Sequence, residues 1–283
     1  MVAGIGPNPS SWQSSVATGL ADGSADRPRF AVVTGGTDGI GKATARSLLA
    51  RGWTVLVIGR SEARCEATVV ELDASAPTPG CVQAVVADLS RMADVRRAAQ
   101  EIEARIPEAL DLLVLNANAI TGHRVLTTDG FESNFALGYL GRALLSWALQ
   151  DLMCRSRDSQ VLSVVGLNLD RVDPIDPMPT RGFSSMAALG RWQWAAAMFC
   201  REWNHRLPSV AMNTFMPGLV RTKILNNEPQ PMRLVVQIAN FVMGISTRRS
   251  GDELVTVVET VQAVGYRDTH FYENATAWPT HPW

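Results

Sequence analysis

Phe30-Ala31-Val32-Val33-Thr34-Gly35-Gly36-Thr37-Asp38-Gly39-Ile40-Gly41-Lys42 decides how this chain folds. An apolar, β-branched run ends at Thr34, a glycine-rich turn follows, and an amphipathic segment begins at once. Uniform apolarity marks a strand buried on both faces, as in a parallel sheet. Gly35, Gly39 and Gly41 permit a tight turn and a close backbone approach to a ligand. A helix opening there offers free amides and the positive end of its dipole. That combination suits a pyrophosphate, with Thr37, Asp38 and Ile40 completing the loop. The bland alternative is a glycine-rich turn that holds nothing.

Outward from this stretch the same alternation continues. Apolar runs at 55–58, 82–87, 112–115 and 161–165 are separated by amphipathic segments at 39–51, 61–74, 90–106 and 128–153. Strands and helices in this rhythm form βαβ units with right-handed crossovers. The expected fold is an α/β doubly wound parallel sheet with helices on both faces. Residues 1–27, rich in Gly, Ser and Pro, read as a flexible tail, with Trp12 the residue that could dock. Residues 28–283 read as one domain.

The chain has 283 residues, with 26 Lys plus Arg against 27 Asp plus Glu and a net charge of -1. That balance gives no footprint for nucleic acid or an anionic membrane. No uncharged apolar run approaches the roughly 18 residues of a membrane span, and the start lacks the form of a secretory signal. The four cysteines, Cys65, Cys81, Cys154 and Cys200, show no metal or redox spacing, and His205, His270 and His281 have no carboxylates placed for a metal. A cytoplasmic protein without a metal is expected. Its only lysines are Lys42 and Lys223 and its only tyrosines Tyr139, Tyr266 and Tyr272, so mechanisms needing either have few candidates.

The second strand ends in Ile58-Gly59-Arg60-Ser61. An acid at that tip would hold a ribose 2′-hydroxyl, whereas Arg60 accommodates a 2′-phosphate, so NADPH is the expected cofactor. The alternative is that Arg60 is merely a surface charge.

Together these residues resemble the short-chain dehydrogenase/reductase family over about residues 29–275. The resemblance implies a Rossmann-type sheet of about seven strands, order 3-2-1-4-5-6-7. Thr34-Gly-x-x-x-Gly39-x-Gly41 matches its cofactor loop, and Asp88-Leu89 its adenine-contacting pair. Leu115-Asn116-Ala117-Asn118 is similar to its Asn-Asn-Ala-Gly. Pro217-Gly218 with Val220 and Thr222 resembles the segment that wraps a nicotinamide. Asp129-Gly130-Phe131-Glu132 resembles the start of the long fourth helix in the retinol-dehydrogenase-like branch.

The resemblance implies catalysis by an Asn-Ser-Tyr-Lys tetrad, and here the matching positions carry Gly138, Gly166, Leu189 and Gln193. No Tyr-x-x-x-Lys occurs anywhere in the chain. The lost tyrosine would donate a proton, and a general acid is typically worth about 10² to 10⁴ in rate. Cofactor-side positioning alone can still supply roughly 7–11 kcal/mol.

Tyr139, one residue from the lost Asn, is the only tyrosine near the site, though a helix neighbour points about 100° away; packing on a neighbouring helix is its other reading. Ser163 faces the opposite side of the sheet from Gly166 and reads as structural. Asn168, Ser184, Ser185 and Leu189 are candidate pocket residues, with His123 in the loop after the fourth strand. Leu234 and Phe241 belong to an apolar segment where the family carries its substrate lid, here 228–247.

Trp147, Trp192, Trp194 and Trp203 read as core or subunit packing, because the resemblance implies a homo-oligomer built on this helix pair. Trp278 and Trp283 fall in a Pro-rich tail, Ala277–Trp283.

Among family members the tetrad loss most resembles the ketoreductases of aromatic polyketide biosynthesis, of the simocyclinone or angucyclinone type. That resemblance implies reduction of a polycyclic aromatic ketone in antibiotic biosynthesis. A phenol peri to the ketone would polarise the carbonyl and supply the proton. Two alternatives stay open: an NADPH-binding regulatory protein without turnover, and a cyclase or dehydratase on the same fold.

Overall fold

The computed structural model describes residues 27–166, 175–218, 220, 245–272 and 276–278. Five expected strands appear where the apolar runs lie: β1 Phe30–Thr34, β2 Thr54–Gly59, β3 Val82–Val86, β4 Leu112–Leu115 and β5 Gln160–Val164. Between them run α1 Gly39–Leu49, α2 Glu62–Asp73 and α3 Met92–Arg105. After β5 come α7 Ser185–Arg206, β6 Ala211–Phe215, α8 Thr247–Val264 and β7 His270–Tyr272. Seven parallel strands lie in the order β3-β2-β1-β4-β5-β6-β7. The order reverses between β1 and β4, which opens a crevice at their carboxyl ends.

Both sheet faces are buried, so strand residues alternate between two cores rather than between core and water. Phe30, Val32, Leu56, Ile58, Leu113 and Leu115 enter one. Ala31, Val33, Val55, Val57, Leu112 and Val114 enter the other. This explains why the strands read as continuous apolar runs.

One expectation about elements is corrected. The segment 128–153 is not one helix. Thr127 to Phe131 forms a turn through Gly130 (φ 82°), and the buried Glu132 carboxylate caps the chain by accepting from the Asn134 and Phe135 amides. Asp129-Gly130-Phe131-Glu132 therefore precedes the helix. Then follow α4 Ser133–Phe135, a π-turn Ala136–Leu140, α5 Gly141–Ala148 and α6 Gln150–Cys154. The π-turn carries Gly138, and a Cβ on Gly141 would overlap the Leu89 carbonyl, so the wide turn sits where the backbone is pressed closest.

The C-terminal tail adds an element. Thr276–Trp278 forms an eighth strand, β8, antiparallel to β7, with Phe271 opposite Ala277. It satisfies backbone groups that β7 would otherwise leave open at the sheet edge.

One buried carboxylate ties the start of the sheet together. Asp111 accepts from the Phe30 amide (2.9 Å) and the Ser156 hydroxyl (2.6 Å) and pairs with Arg27. Asp111→Ala leaves these donors without their acceptor and should lower unfolding stability by about 2–3 kcal/mol. A urea midpoint unchanged from wild type would refute this.

Candidate active site

The crevice between β1 and β4 is built by one threonine. Thr34 Oγ1 donates to Val114 O (3.2 Å) and accepts from the Asn116 and Ala117 amides (2.8 and 2.9 Å). Asn116 Nδ2 in turn donates to Thr34 O (3.1 Å) and Gly35 O (3.4 Å). Asn116 therefore braces the glycine loop from below. A Cβ on Gly41 would stand 2.5 Å from that same Nδ2. Only glycine lets the first turn of α1 lie this close to the loop.

Not every amide of the loop is available to a ligand. The Gly35 and Gly36 N–H groups both point at Ile58 O (2.8 and 3.3 Å), and Gly39 N–H is capped by Asp38 (2.8 Å). The first i→i−4 bond of α1 runs from Lys42 N to Asp38 O. Helix geometry thus leaves Ile40 and Gly41 as the N–H groups without an intrahelical acceptor. Thr37 packs its methyl against Gly59. This cradle fits a dinucleotide pyrophosphate on two amides and the helix dipole.

At the neighbouring tips, Arg60 is exposed and makes no hydrogen bond or ion pair among the described residues. Ser61 holds the N-cap position of α2 without a side-chain bond. Asp88 Oδ1 accepts from the amide (3.0 Å) and hydroxyl (2.7 Å) of Ser90, and its own amide donates to Asp94. Leu89 is buried beside Gly141.

The tip of β5 differs in kind from this polar crevice. Phe135, Val165, Trp192, Ala195 and Ala196 form a compact apolar cluster, joined by Tyr139, Leu140, Met178 and Leu189. Trp192 is completely buried, and a Cβ on Gly138 would overlap its indole. Gln193, only 2% exposed, accepts the Gly166 amide on Oε1 at 2.9 Å. Arg142, one helical turn beyond Gly138 and 4% exposed, stacks its guanidinium 4.7 Å from the Trp192 ring centre. It donates from Nη1 to Ser163 Oγ (2.8 Å) and Val164 O (2.7 Å), and from Nη2 to Ala117 O (3.1 Å). Burial pulls its pKa down to about 9, which leaves it charged at neutral pH.

Tyr139 packs 5.1 Å from Phe135 and 6.3 Å from Phe199, and its hydroxyl makes no hydrogen bond among the described residues. Burial raises its pKa, so the phenol stays protonated at neutral pH. Ser184 Oγ caps α7 by accepting from the Ala187 amide (3.5 Å), Ser185 is buried in its first turn, and His123 is exposed. Pro217 is buried, Gly218 has φ 70°, and Val220 bridges to Ile245. Asn168, Thr222, Leu234, Phe241, Trp12, Trp283 and most of 228–247 lie outside the described residues.

Residues 29–172 match the family model for short chain dehydrogenase. The chain belongs to the short-chain dehydrogenase/reductase family. It is 31% identical over 217 residues to retinol dehydrogenase 13 of Mus musculus, a match covering 74% of this chain and 64% of that one. A daunorubicin C-13 ketoreductase candidate, DnrU, of Streptomyces sp. (strain C5) is 30% identical over 198 residues, 69% of this chain and 67% of that one. In fold it resembles an alcohol dehydrogenase from Thermococcus sibiricus complexed with 5-hydroxy-NADP, with TM-score 0.68 and 20% identity over 90% of this chain and 100% of that one.

Gly138, Gly166, Leu189 and Gln193, the four residues singled out in the sequence as departures, lie against one another or against Trp192: the indole stands over Gly138, Gln193 accepts from the Gly166 amide, and Leu189 packs on the Trp192 cluster. Arg142 and Trp192 were not singled out as site residues from the sequence. The available signal was a charged residue four positions after Gly138, on the same face of an otherwise apolar helix.

Proposed function

We propose that this protein is an NADPH-dependent ketoreductase that reduces a ketone of a polycyclic aromatic polyketide, of the angucyclinone type, in antibiotic biosynthesis. One observation carries the reading. The dinucleotide crevice keeps its cradle, while the four tetrad positions are packed with groups that offer no proton to a substrate. Gln193 is committed to Gly166, Leu189 is apolar, and Trp192 fills the space over Gly138. A substrate with its own acid, a phenol peri to the ketone, needs no protein tyrosine. The likeness to DnrU supports an aromatic polyketide ketone, and the likeness to an NADP-bound dehydrogenase supports the cofactor.

When bound, the nicotinamide cofactor supplies the hydride. Gly35, Thr37, Asp38, Gly39, Ile40 and Gly41 would hold its pyrophosphate, Arg60 and Ser61 its 2′-phosphate, and Asp88 and Leu89 its adenine. Asn116, Ala117, Pro217, Gly218, Val220 and Thr222 would flank the nicotinamide half. The cluster around Leu189, with Ser184, Ser185, Asn168, Leu234 and Phe241, would receive the flat ring system. A cytoplasmic setting belongs to this reading, and Cys65, Cys81, Cys154 and Cys200 are unbridged. So does a homo-oligomer, for which the half-buried Trp147 and Phe199 border a helix face, while Trp203 is fully buried in the core.

NADPH should bind ahead of NADH because Arg60 meets the 2′-phosphate. A charge-assisted contact is worth about 1.5–3 kcal/mol, or roughly ten- to a hundred-fold. Arg60→Ala should remove most of that preference while leaving NADH binding unchanged. Titrations giving equal wild-type affinities for the two cofactors would exclude it. The activity itself is tested by steady NADPH oxidation at a peri-hydroxyaryl ketone. Tight NADPH binding with no oxidation of any such ketone would favour the regulatory or non-redox alternatives.

A further inference from the structure

We infer that Arg142 is a built-in cation of the site, placed to lower the pKa of a substrate phenol and to stabilise the phenolate that reduction leaves behind. The inference rests on the proposed function and adds the protein's electrostatic share in it.

A buried charge is expensive unless another charge compensates it. Arg142 has no carboxylate within ion-pair distance among the described residues. Its partners are a hydroxyl, two carbonyls and an indole face, none of which titrates near neutral pH. Its Nε and the neighbouring Trp192 Nε1 are buried without a hydrogen-bond partner in the described structure. So is Asn118 Oδ1, in the residue beside Ala117. A cation kept at this cost calls for negative charge nearby.

The location says where that charge arises. Arg142 grips Ala117 O after β4 and Val164 O at the end of β5, two residues before Gly166. Those two tips bound the space where a carbonyl would meet the cofactor. On reduction the ketone carbon gains the hydride, a C–H bond forms, and the carbonyl π pair moves onto oxygen. That oxygen takes the phenol proton as the phenol O–H bond breaks. The ketone is reduced, the cofactor oxidised, and the phenolate later regains a proton from water. A unit charge about 10 Å away, at an effective dielectric near 20, shifts a pKa by about one unit.

The sign makes this testable without turnover. An apolar pocket alone raises the pKa of a bound phenol, whereas a nearby cation lowers it. The probe is 1,8-dihydroxyanthraquinone, whose absorbance reddens on ionisation, titrated against pH with the full chain and no cofactor. Wild type should bind it with a pKa below its value in water. Arg142→Met should reverse the shift, and so should Arg142→Gln, which keeps a donor to the neighbouring carbonyls without the charge. Retained NADPH fluorescence enhancement verifies that each variant folds. A wild-type pKa raised or unmoved overturns the inference even if the Met variant cannot be made, and so does failure of the probe to bind. Turnover of a peri-hydroxyaryl ketone alongside a raised probe pKa refutes Arg142's role alone. Absence of turnover with every such ketone refutes the proposed function itself.

Discussion

Methylating the phenol peri to the ketone should slow hydride transfer by about 10²-fold or more, the usual worth of a general acid. The expectation follows from what surrounds the carbonyl in the proposed mode. Leu189 offers no proton, Gln193 is held by the Gly166 amide, and Trp192 covers Gly138. Removing the substrate's own proton therefore leaves none of these three groups to replace it. Binding should fall much less, because flat apolar contacts with the cluster around Phe135, Val165 and Leu189 persist. Single-turnover NADPH oxidation with the parent ketone and its methyl ether separates rate from affinity. Equal rates would mean that a protein group supplies the proton, with Tyr139 the first to test by Tyr139→Phe.

Restoring the family residues should fail, and for a reason that can be measured before any activity. Leu189→Tyr with Gln193→Lys removes the acceptor of the Gly166 amide and places an ammonium where Gln193 is 2% exposed. An unpaired buried donor costs about 1–3 kcal/mol, and an unpaired buried charge more. The double variant should lose about 3 kcal/mol or more of stability and turn over no faster than wild type. Adding Gly138→Asn compounds the loss, since its side chain would enter the Trp192 indole. Denaturant midpoints and initial rates measured together give the check. A stable variant faster than wild type would count against substrate-supplied protonation.

Much of the molecule could be read from contiguous residues. Phe30 to Thr34 is apolar because both sheet faces are covered, and Gly41 is glycine because Asn116 lies against it. Such constraints act through backbone and burial, and they leave marks at short spacing. The break of the fourth helix was less visible. Glu132 looked like a helix residue, but it caps the chain from outside, and the π-turn depends on Leu89 and Trp192 pressing on glycines from other elements.

The linear chain was enough to settle the parallel sheet and the glycine loop, because both follow from local periodicity and from the handedness of short crossovers, while the strand order was legible only through the family resemblance. Tertiary packing alone decided what surrounds Gly138, Gly166 and Gln193. Gln193 reaches Gly166 from 27 residues away, Trp192 covers Gly138, and Arg142 is held by Ser163 and Val164 of β5 and by Ala117 in the loop after β4. The pairing of β8 with β7 belongs with these. Side-chain volume and charge compensation are settled between segments that meet only on folding, so no spacing within one segment records them.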